Sequence, residues 1–201
     1  TQLFTPKYIV RYLVDNSVGR LWMLNNPGSA IKDSMEYYVD PGEDHENDFK
    51  KLSSPEELTV IDPACGSGHI LVYAFDLLAR IYEDAGYSRR EIHKLVLANH
   101  ISGLEIDSRA AAMSSFALTM KAMEYDSRFL RRGVTPRIMI LERIEFEEAE
   151  RELIPSVAKH TRLMDALEHL DECGSLFVPE SSDLMVLKEA CDALQDRGDL
   201  F

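Results

Sequence analysis

The chain has 201 residues and a mass of 22.9 kDa, which suits one well-buried domain. Its hydrophobic content is 45% and no apolar run approaches the roughly 20 residues of a membrane span, so we expect no membrane contact. The net charge of −13 lies mostly in residues 142–201, which sum to −10, whereas residues 86–132 sum to +3. This balance excludes strong DNA binding by the chain alone.

The sequence opens at Thr1 inside what reads as a motif, so we expect a fragment of a larger protein. Thr5 and Pro6 predict a helix start, with Thr5 as N-cap and Pro6 in the first helical position. Apolar residues then recur at helical spacing from Ile9 to Trp22 and predict one long helix.

Residues 25–55 predict a long surface loop with a short strand at 37–39. The acidic run around His45 lacks ordered ligand spacing, so no metal site is expected. Cys65, Cys173 and Cys191 form neither a disulfide framework nor a zinc pattern, and predict reduced thiols in a cytoplasmic protein.

The most informative stretch is residues 58–71. Residues 58–61 predict a buried strand, Asp62 precedes a proline that ends it, and Gly66 and Gly68 permit a tight turn. Apolar residues at helical spacing follow from Ile70, so a helix begins where the glycines stop. A strand, a glycine turn and a helix in this order are typical of a nucleotide-type cofactor site, with exposed N–H groups facing the ligand.

A second such unit follows. Ser88 opens a capping-box pattern for a helix through Leu97, and residues 100–104 predict the next parallel strand. Glu105 stands at the end of that strand, where an acidic residue accepts hydrogen bonds from ribose hydroxyls in doubly wound folds. Asp107 predicts the N-cap of a helix over 108–125.

The last third is mostly helical. Residues 136–141 predict a third strand, which a small basic cluster (Arg128, Arg131, Arg132) precedes as a solvated helix end. Acidic amphipathic helices are predicted over 145–172, broken at Pro155, followed by a short strand at 176–178 and a helix over 181–196.

Three segments resemble motifs of the N6-adenine DNA methyltransferases. Asp-Pro-Ala-Cys-Gly-Ser-Gly at 62–68 resembles the motif that binds S-adenosylmethionine, and Gly-Leu-Glu-Ile-Asp at 103–107 resembles the second cofactor motif. Gln-Leu-Phe-Thr-Pro at 2–6 resembles the segment that closes over the methionine end, and its place before the glycine motif matches the family's γ arrangement.

The resemblance implies an α/β, Rossmann-like S-adenosylmethionine-dependent methyltransferase fold with additional helices at the C-terminal end. It implies a cofactor-binding core at 58–141, preceded by a helix and loop at 1–57 and followed by an acidic helical extension at 142–201. Asp62 would bind the ammonium group of the cofactor, the main chain of the glycine turn its methionine portion, Glu105 the ribose, and Ile106 would pack on the adenine. The implied cofactor-binding residues are Phe4, Thr5, Pro6, Asp62, Pro63, Ala64, Cys65, Gly66, Ser67, Gly68, Glu105 and Ile106.

The family's catalytic motif, Asn/Asp-Pro-Pro-Tyr/Phe, which holds the flipped adenine, does not occur in the sequence. Asn25-Asn26-Pro27-Gly28 is the nearest match and precedes the cofactor motif, the wrong order. We therefore assign no catalytic residue here. Within the family the motifs are most similar to the adenine-specific enzymes of bacterial BREX phage-defence systems. That likeness implies a cytoplasmic parent enzyme whose partners are duplex DNA and other phage-defence proteins.

Two other functions remain open from the residues. The same cofactor would serve a methyltransferase acting on RNA or protein. Alternatively, the acidic last third could make the chain a non-catalytic docking domain, which predicts salt-sensitive partner binding and no cofactor affinity.

Overall fold

The computed structural model describes residues 5–40, 42, 49–131, 133–141, 160–169 and 178–196. The chain divides into two compact units, Thr1–Ile140 and Leu141–Phe201, and each is described by itself. The sequence-based division at residues 57 and 141 stays a prediction. Within the described residues, no helix is both long and apolar enough to cross a bilayer.

The elements of the first unit follow in chain order. Its α-helices are α1 (Lys7–Val14), α2 (Arg20–Asn25), α3 (His69–Asp84), α4 (Arg89–Leu95) and α5 (Ser108–Tyr125). Its strands are β1 (Val60–Asp62), β2 (Ile101–Glu105) and β3 (Arg137–Ile140). Single 3₁₀ turns cover Ala30–Ser34, Pro55–Glu57 and Phe129–Arg131, and π-helical turns cover Asp15–Gly19 and Val96–His100.

The three strands form one parallel sheet in the order β1-β2-β3. Helices connect successive strands, as parallel pairing requires, so the unit is α/β. The register pairs Asp62 with Gly103 across β1 and β2, which brings the carboxyl ends of both strands to one edge. The predicted parallel pairing of the cofactor strand with its successor is confirmed.

Helix α3 supplies more of the described core than any other element. Its apolar residues recur every three or four positions, and the helix begins at His69, directly after the glycines, as predicted. The side chains of Leu71, Leu77, Leu78 and Ile81 are fully buried, and each such burial contributes about 1.5–3 kcal/mol. The sheet admits this helix closely because Gly103 has no side chain: a Cβ there would lie 2.8 Å from Leu71 Cδ1.

The N-terminal helix begins one residue later than predicted. Pro6 is the N-cap of α1 and no side chain caps the helix, so Thr5 is not the N-cap. The carbonyl of Pro6 accepts from the amides of Ile9 and Val10, which starts the helical ladder without a side-chain oxygen. Helices α1 and α2 are joined through the π turn, so the helical stretch runs from Lys7 to Asn25.

The predicted strand at 37–39 is wrong, because side chains of the π turn take the hydrogen bonds that a strand partner would supply. Asp15 Oδ2 accepts from the Tyr37 amide at 3.2 Å. Asn16 Oδ1 accepts from the Val39 amide at 2.8 Å, and Asn16 Nδ2 donates to the Tyr37 carbonyl at 2.8 Å. The backbone of this segment is therefore bonded without entering a sheet.

The predicted strand starts were also too early. Leu58 is buried, but its carbonyl accepts a hydrogen bond from the His100 side chain (Nδ1) and not from a neighbouring strand. Strand β1 therefore begins only at Val60. Ile61 was predicted to be buried and is 62% exposed. His100 itself ends a π turn rather than opening β2, and helix α4 with that turn extends beyond the predicted Leu97. The third strand is shorter than predicted by one residue at each end.

Helix α5 begins and ends at the predicted residues, 108 and 125. Asp107 Oδ1 accepts from the Arg109 amide at 2.9 Å, and the helix ends at Tyr125. At α4, Ser88 is the N-cap as predicted, but its side chain makes no capping hydrogen bond.

In the second unit, the described helices are α6 (Thr161–Glu168) and α7 (Ser181–Asp196). Leu163 is fully buried against Val186 and Leu187 of α7. The predicted helix start at 181 is confirmed, and Asp183 Oδ2 there accepts from the Glu180 amide at 2.8 Å. The predictions for 142–159 and 170–177 lie outside the described residues, and no strand includes Val178.

Candidate functional site

The site begins at Asp62, the last residue of β1. This side chain is buried, and its Oδ1 accepts from the Ala64 amide at 3.2 Å. Its Oδ2 is buried and has no hydrogen-bond partner among the residues that the structure describes. Burial raises the pKa of Asp62, and the charge of Glu105 raises it further, against the lowering by the Ala64 amide. Burying a carboxylate oxygen without a hydrogen-bond donor costs free energy, and a cationic donor from a ligand would offset that cost.

Glu105 ends the neighbouring strand and faces the glycine turn. Its Oε2 accepts from the Gly66 amide at 2.6 Å, which ties the turn after β1 to the end of β2. Its Oε1 accepts from the amides of Ile106 and Asp107 at 2.9 and 3.1 Å. The carboxylate is thus fixed in place by main chain from both sides of the site.

The amides of the turn are mostly used within the protein. Cys65 N–H donates to the Leu104 carbonyl at 2.9 Å, and Gly68 N–H donates to the Cys65 carbonyl at 2.8 Å. Together with the bonds to Asp62 and Glu105, these contacts occupy the N–H groups of residues 64, 65, 66 and 68. The prediction that exposed N–H groups face the ligand is therefore wrong for these four residues.

The two turn glycines have different physical roles. Gly66 (φ +53°) and Gly68 (φ +85°) are both left-handed, which favours glycine. A Cβ on Gly68 would lie 2.5 Å from Ser114 Oγ on α5, whereas a Cβ on Gly66 would meet nothing within 4 Å. Gly68 thus allows the turn to approach α5, and Gly66 borders open space.

These groups border a pocket of about 250 Å³ at the carboxyl ends of β1 and β2. Thr5, which precedes α1, also lines this pocket, so the structure brings this residue close to the glycine turn. The lining residues are Thr5, Asp62, Ala64, Cys65, Gly66, Ser67, His69, Ile70, Glu105, Asp107 and Ala110.

Some predicted site residues are not part of the lining. Pro6 and Pro63 are exposed beside it, and Ile106 is 76% exposed. Gly68 is buried against α5. Phe4 lies outside the described residues.

The electrostatics of the pocket are acidic. Its lining contains the carboxylates of Asp62, Glu105 and Asp107, and no Lys or Arg is among the described lining residues. Asp107 is compensated, since hydrogen bonds from Arg109 lower the pKa of its carboxyl. For Asp62, no cation among the described residues lowers the pKa in this way. Burial raises the pKa of the Cys65 thiol, which keeps it protonated and unreactive.

Sequence reasoning missed part of the lining. His69 and Ile70 begin α3, Ala110 lies in the first turn of α5, and Asp107 was assigned only to helix capping. The signal for them was available, because residues at the starts of helices that follow neighbouring parallel strands share the ligand edge. The need for glycine at position 103 could not be predicted from the local sequence, because it arises from close packing against residues distant in the chain.

The parallel sheet and this pocket define an α/β protein with a pocket at the carboxyl ends of adjacent strands, which is where ligands bind in open α/β sheets. Residues 42–144, just over half of the chain, match the family described as "MmeI, DNA-methyltransferase domain". The chain belongs to this family of DNA-methyltransferase domains.

Individual relatives agree with the family. The chain is 48% identical over 157 residues to "Adenine-specific methyltransferase BrxX" of Escherichia coli O9:H4 (strain HS), covering 75% of this chain and 13% of that protein. It is 39% identical over 150 residues to "Adenine-specific methyltransferase PglX" of Lacticaseibacillus casei (strain Zhang), covering 69% of this chain and 12% of that protein. The chain thus spans about one eighth of the length of these relatives.

Proposed function

We propose that this chain is the cofactor-binding part of a site-specific DNA methyltransferase. The parent enzyme would transfer a methyl group from S-adenosylmethionine to N6 of adenine in duplex DNA, in bacterial phage defence. The names of the relatives support the adenine specificity, and the motif resemblance supports the defence role. We further propose a Rossmann-like methyltransferase fold, for which the three-stranded parallel sheet would supply one part.

The observation that carries this proposal is the buried Oδ2 of Asp62, which has no hydrogen-bond partner in the described part of the chain. The methionine portion of S-adenosylmethionine bears an ammonium group, and such a donor would satisfy this oxygen with a charge-assisted hydrogen bond. Glu105, on the adjacent strand end, fits a ribose hydroxyl in the same pocket. The residues present therefore fit this cofactor.

The charge of the pocket also selects among nucleotide-like ligands. Phosphates are bound by cations and by free amides at helix starts. Here the described lining has no Lys or Arg, and the amides of residues 64, 65, 66 and 68 are already bonded. ATP and NAD carry phosphates that this pocket disfavours, whereas S-adenosylmethionine carries none and is cationic at its sulfonium and ammonium groups.

The chemistry is a displacement at carbon. When bound, S-adenosylmethionine would supply an electrophilic methyl group on its sulfonium. This chain's residues would bind and orient: Asp62 holds the ammonium end, and Glu105 the ribose. No residue of this chain is assigned to the target base.

Calorimetric titration tests the cofactor assignment. We expect the 201-residue chain to bind S-adenosylmethionine, to bind ATP and NAD at least tenfold more weakly, and to lose affinity on Glu105→Ala. Equal affinity for ATP would contradict the proposal. No binding by the folded chain would also contradict it and would favour a docking domain.

The substrate assignment needs the full-length parent. N6-methyladenine is expected in DNA from cells expressing the parent and should disappear in Asp62→Asn. Methylation found only on RNA or protein would favour the alternative methyltransferases.

A further inference from the structure

We propose that a second pocket, next to the one described above, holds a sugar–phosphate segment of the substrate DNA through Lys7 and Arg11. This inference rests on the function proposed above, since it assigns a contact to the DNA that the parent would methylate. The two cations would position the DNA and take no part in methyl transfer.

The second pocket has a volume of about 420 Å³ and is lined by residues of α1, α3 and α5. Ser67 and His69 line both pockets, so the two share a rim at the start of α3. A ligand in the second pocket therefore lies beside the proposed cofactor site, and methyl transfer requires the substrate to come that close to the donor.

The charges of the two pockets are opposite in sign. The described lining of the first pocket carries carboxylates and no Lys or Arg. Lys7 and Arg11 line the second pocket, and the one carboxylate in its described lining, Asp76, lies 2.9 Å (Oδ1) from Lys121 Nζ. This division suits a cationic methyl donor on one side of the shared rim and an anionic substrate on the other.

Lys7 occupies a position that the helix itself disfavours. It is the first residue of α1, where the helix dipole opposes a positive charge, and no acidic residue lies in that turn. Its side chain is exposed and forms no ion pair with another described residue. A cation that is placed against the helix dipole without a partner favours a role in binding.

Arg11 lies one helical turn further along the same face of α1. Its Nη1 lies 2.6 Å from Glu36 Oε2, and its guanidinium carbon lies 5.8 Å from the centre of the Tyr73 ring. Glu36 compensates part of the Arg11 charge, so Lys7 is the stronger anion contact of the two. Val72 and Ala117 are half-buried and give the pocket an apolar lining against which a deoxyribose can pack.

DNA phosphates are a ligand that these side chains can bind. Lys and Arg are among the groups that contact the phosphate backbone, and such contacts position a duplex without reading its sequence. With a net charge of −13 the chain repels DNA as a whole, so a phosphate contact requires cations concentrated at one place. The second pocket provides two of them beside the cofactor site.

The salt dependence of DNA binding by the full-length parent tests this contact. Genomic DNA fragments from a strain that lacks the parent serve as the probe, because phosphate contacts are independent of sequence. Each phosphate contact contributes about 0.9 to the slope of log affinity against log salt concentration. We expect Lys7→Ala to weaken DNA binding about fivefold or more at about 0.1 M salt and to lower that slope by about 0.9, with the affinity for S-adenosylmethionine unchanged.

Two further variants separate the contact from net charge and from folding. Lys7→Arg retains the charge and should bind DNA as the wild type does. Lys94→Ala is the matched control, since Lys94 of α4 is exposed and lines neither pocket, and it should leave the slope unchanged. The melting temperature should not fall in Lys7→Ala, because the substitution removes a cation from a helix N-terminus.

Unchanged slope and DNA affinity in Lys7→Ala would overturn the phosphate contact, and so would an equal change in Lys94→Ala. A lower slope for RNA fragments, with no change for DNA, would overturn the choice of DNA. The proposed function fails separately: a parent that binds DNA through Lys7 but does not bind S-adenosylmethionine would retain this contact and reject that function.

Discussion

Replacing Asp62 with Asn should change stability and binding in opposite directions. The variant keeps an Oδ1 that can accept from the Ala64 amide, and it removes the buried charge at Oδ2. Burial and then Glu105 raise the pKa of Asp62, so its ionised form destabilises the folded chain at neutral pH. The protonated Asp62 side chain contributes its full stabilisation of the folded chain below the unfolded-state pKa of 3.8. This contribution is lost as the pH rises through the folded-state pKa. Asp62→Asn should therefore melt no lower than wild type at pH 7.

Cofactor affinity should fall in the same variant. A hydrogen bond to a charged partner is worth about 1.5–3 kcal/mol, so loss of the ammonium contact predicts binding weaker by about 10- to 150-fold. Thermal melting of the ligand-free chain at pH 7 and calorimetric titration with S-adenosylmethionine measure the two effects. A variant that melts lower and binds equally well would refute the reasoning, since Asp62 would then be a structural residue.

Further variants test the packing around the site. Gly103→Ala should destabilise the chain by about 1–3 kcal/mol in urea unfolding, because the added Cβ would lie within 3 Å of three side-chain atoms; no change would contradict the close approach of α3. Gly68→Ala should lower the melting temperature more than Gly66→Ala, because only the Cβ added at position 68 would clash with Ser114. Equal losses would mean that the left-handed backbone conformation alone, and not the clash, causes the destabilisation. Burial lowers the pKa of His100 below 6.5. The neutral side chain therefore contributes its full share of the free energy of unfolding above pH 6.5, and this contribution is lost as the pH falls through the folded-state pKa. His100→Gln should flatten the melting temperatures between pH 7.5 and 5.5, and an unaltered slope would assign the acid sensitivity elsewhere.

Local patterns predicted the elements that carry their own signals. Helix α3 was predictable from apolar spacing and the glycines before it, and α5 from the Asp107 cap. Parallel strands share their carboxyl ends, so the meeting of Asp62 and Glu105 at one edge also followed from the sequence.

Contacts between distant segments were not predictable in this way. Residues 37–39 have strand-like composition, but Asp15 and Asn16 take their backbone hydrogen bonds. The sequence also favoured Gly68 as a cofactor-binding residue, and its packing on Ser114 of α5 could not be predicted from the local pattern.

Mapping of amide chemical shifts tests the central claim most directly. On addition of S-adenosylmethionine to the 201-residue chain, we predict shifts concentrated in residues 62–70 and 105–110, and no such shifts in Asp62→Asn at the same concentration. Absence of shifts, or shifts confined to other parts of the chain, would contradict a cofactor site at the glycine turn.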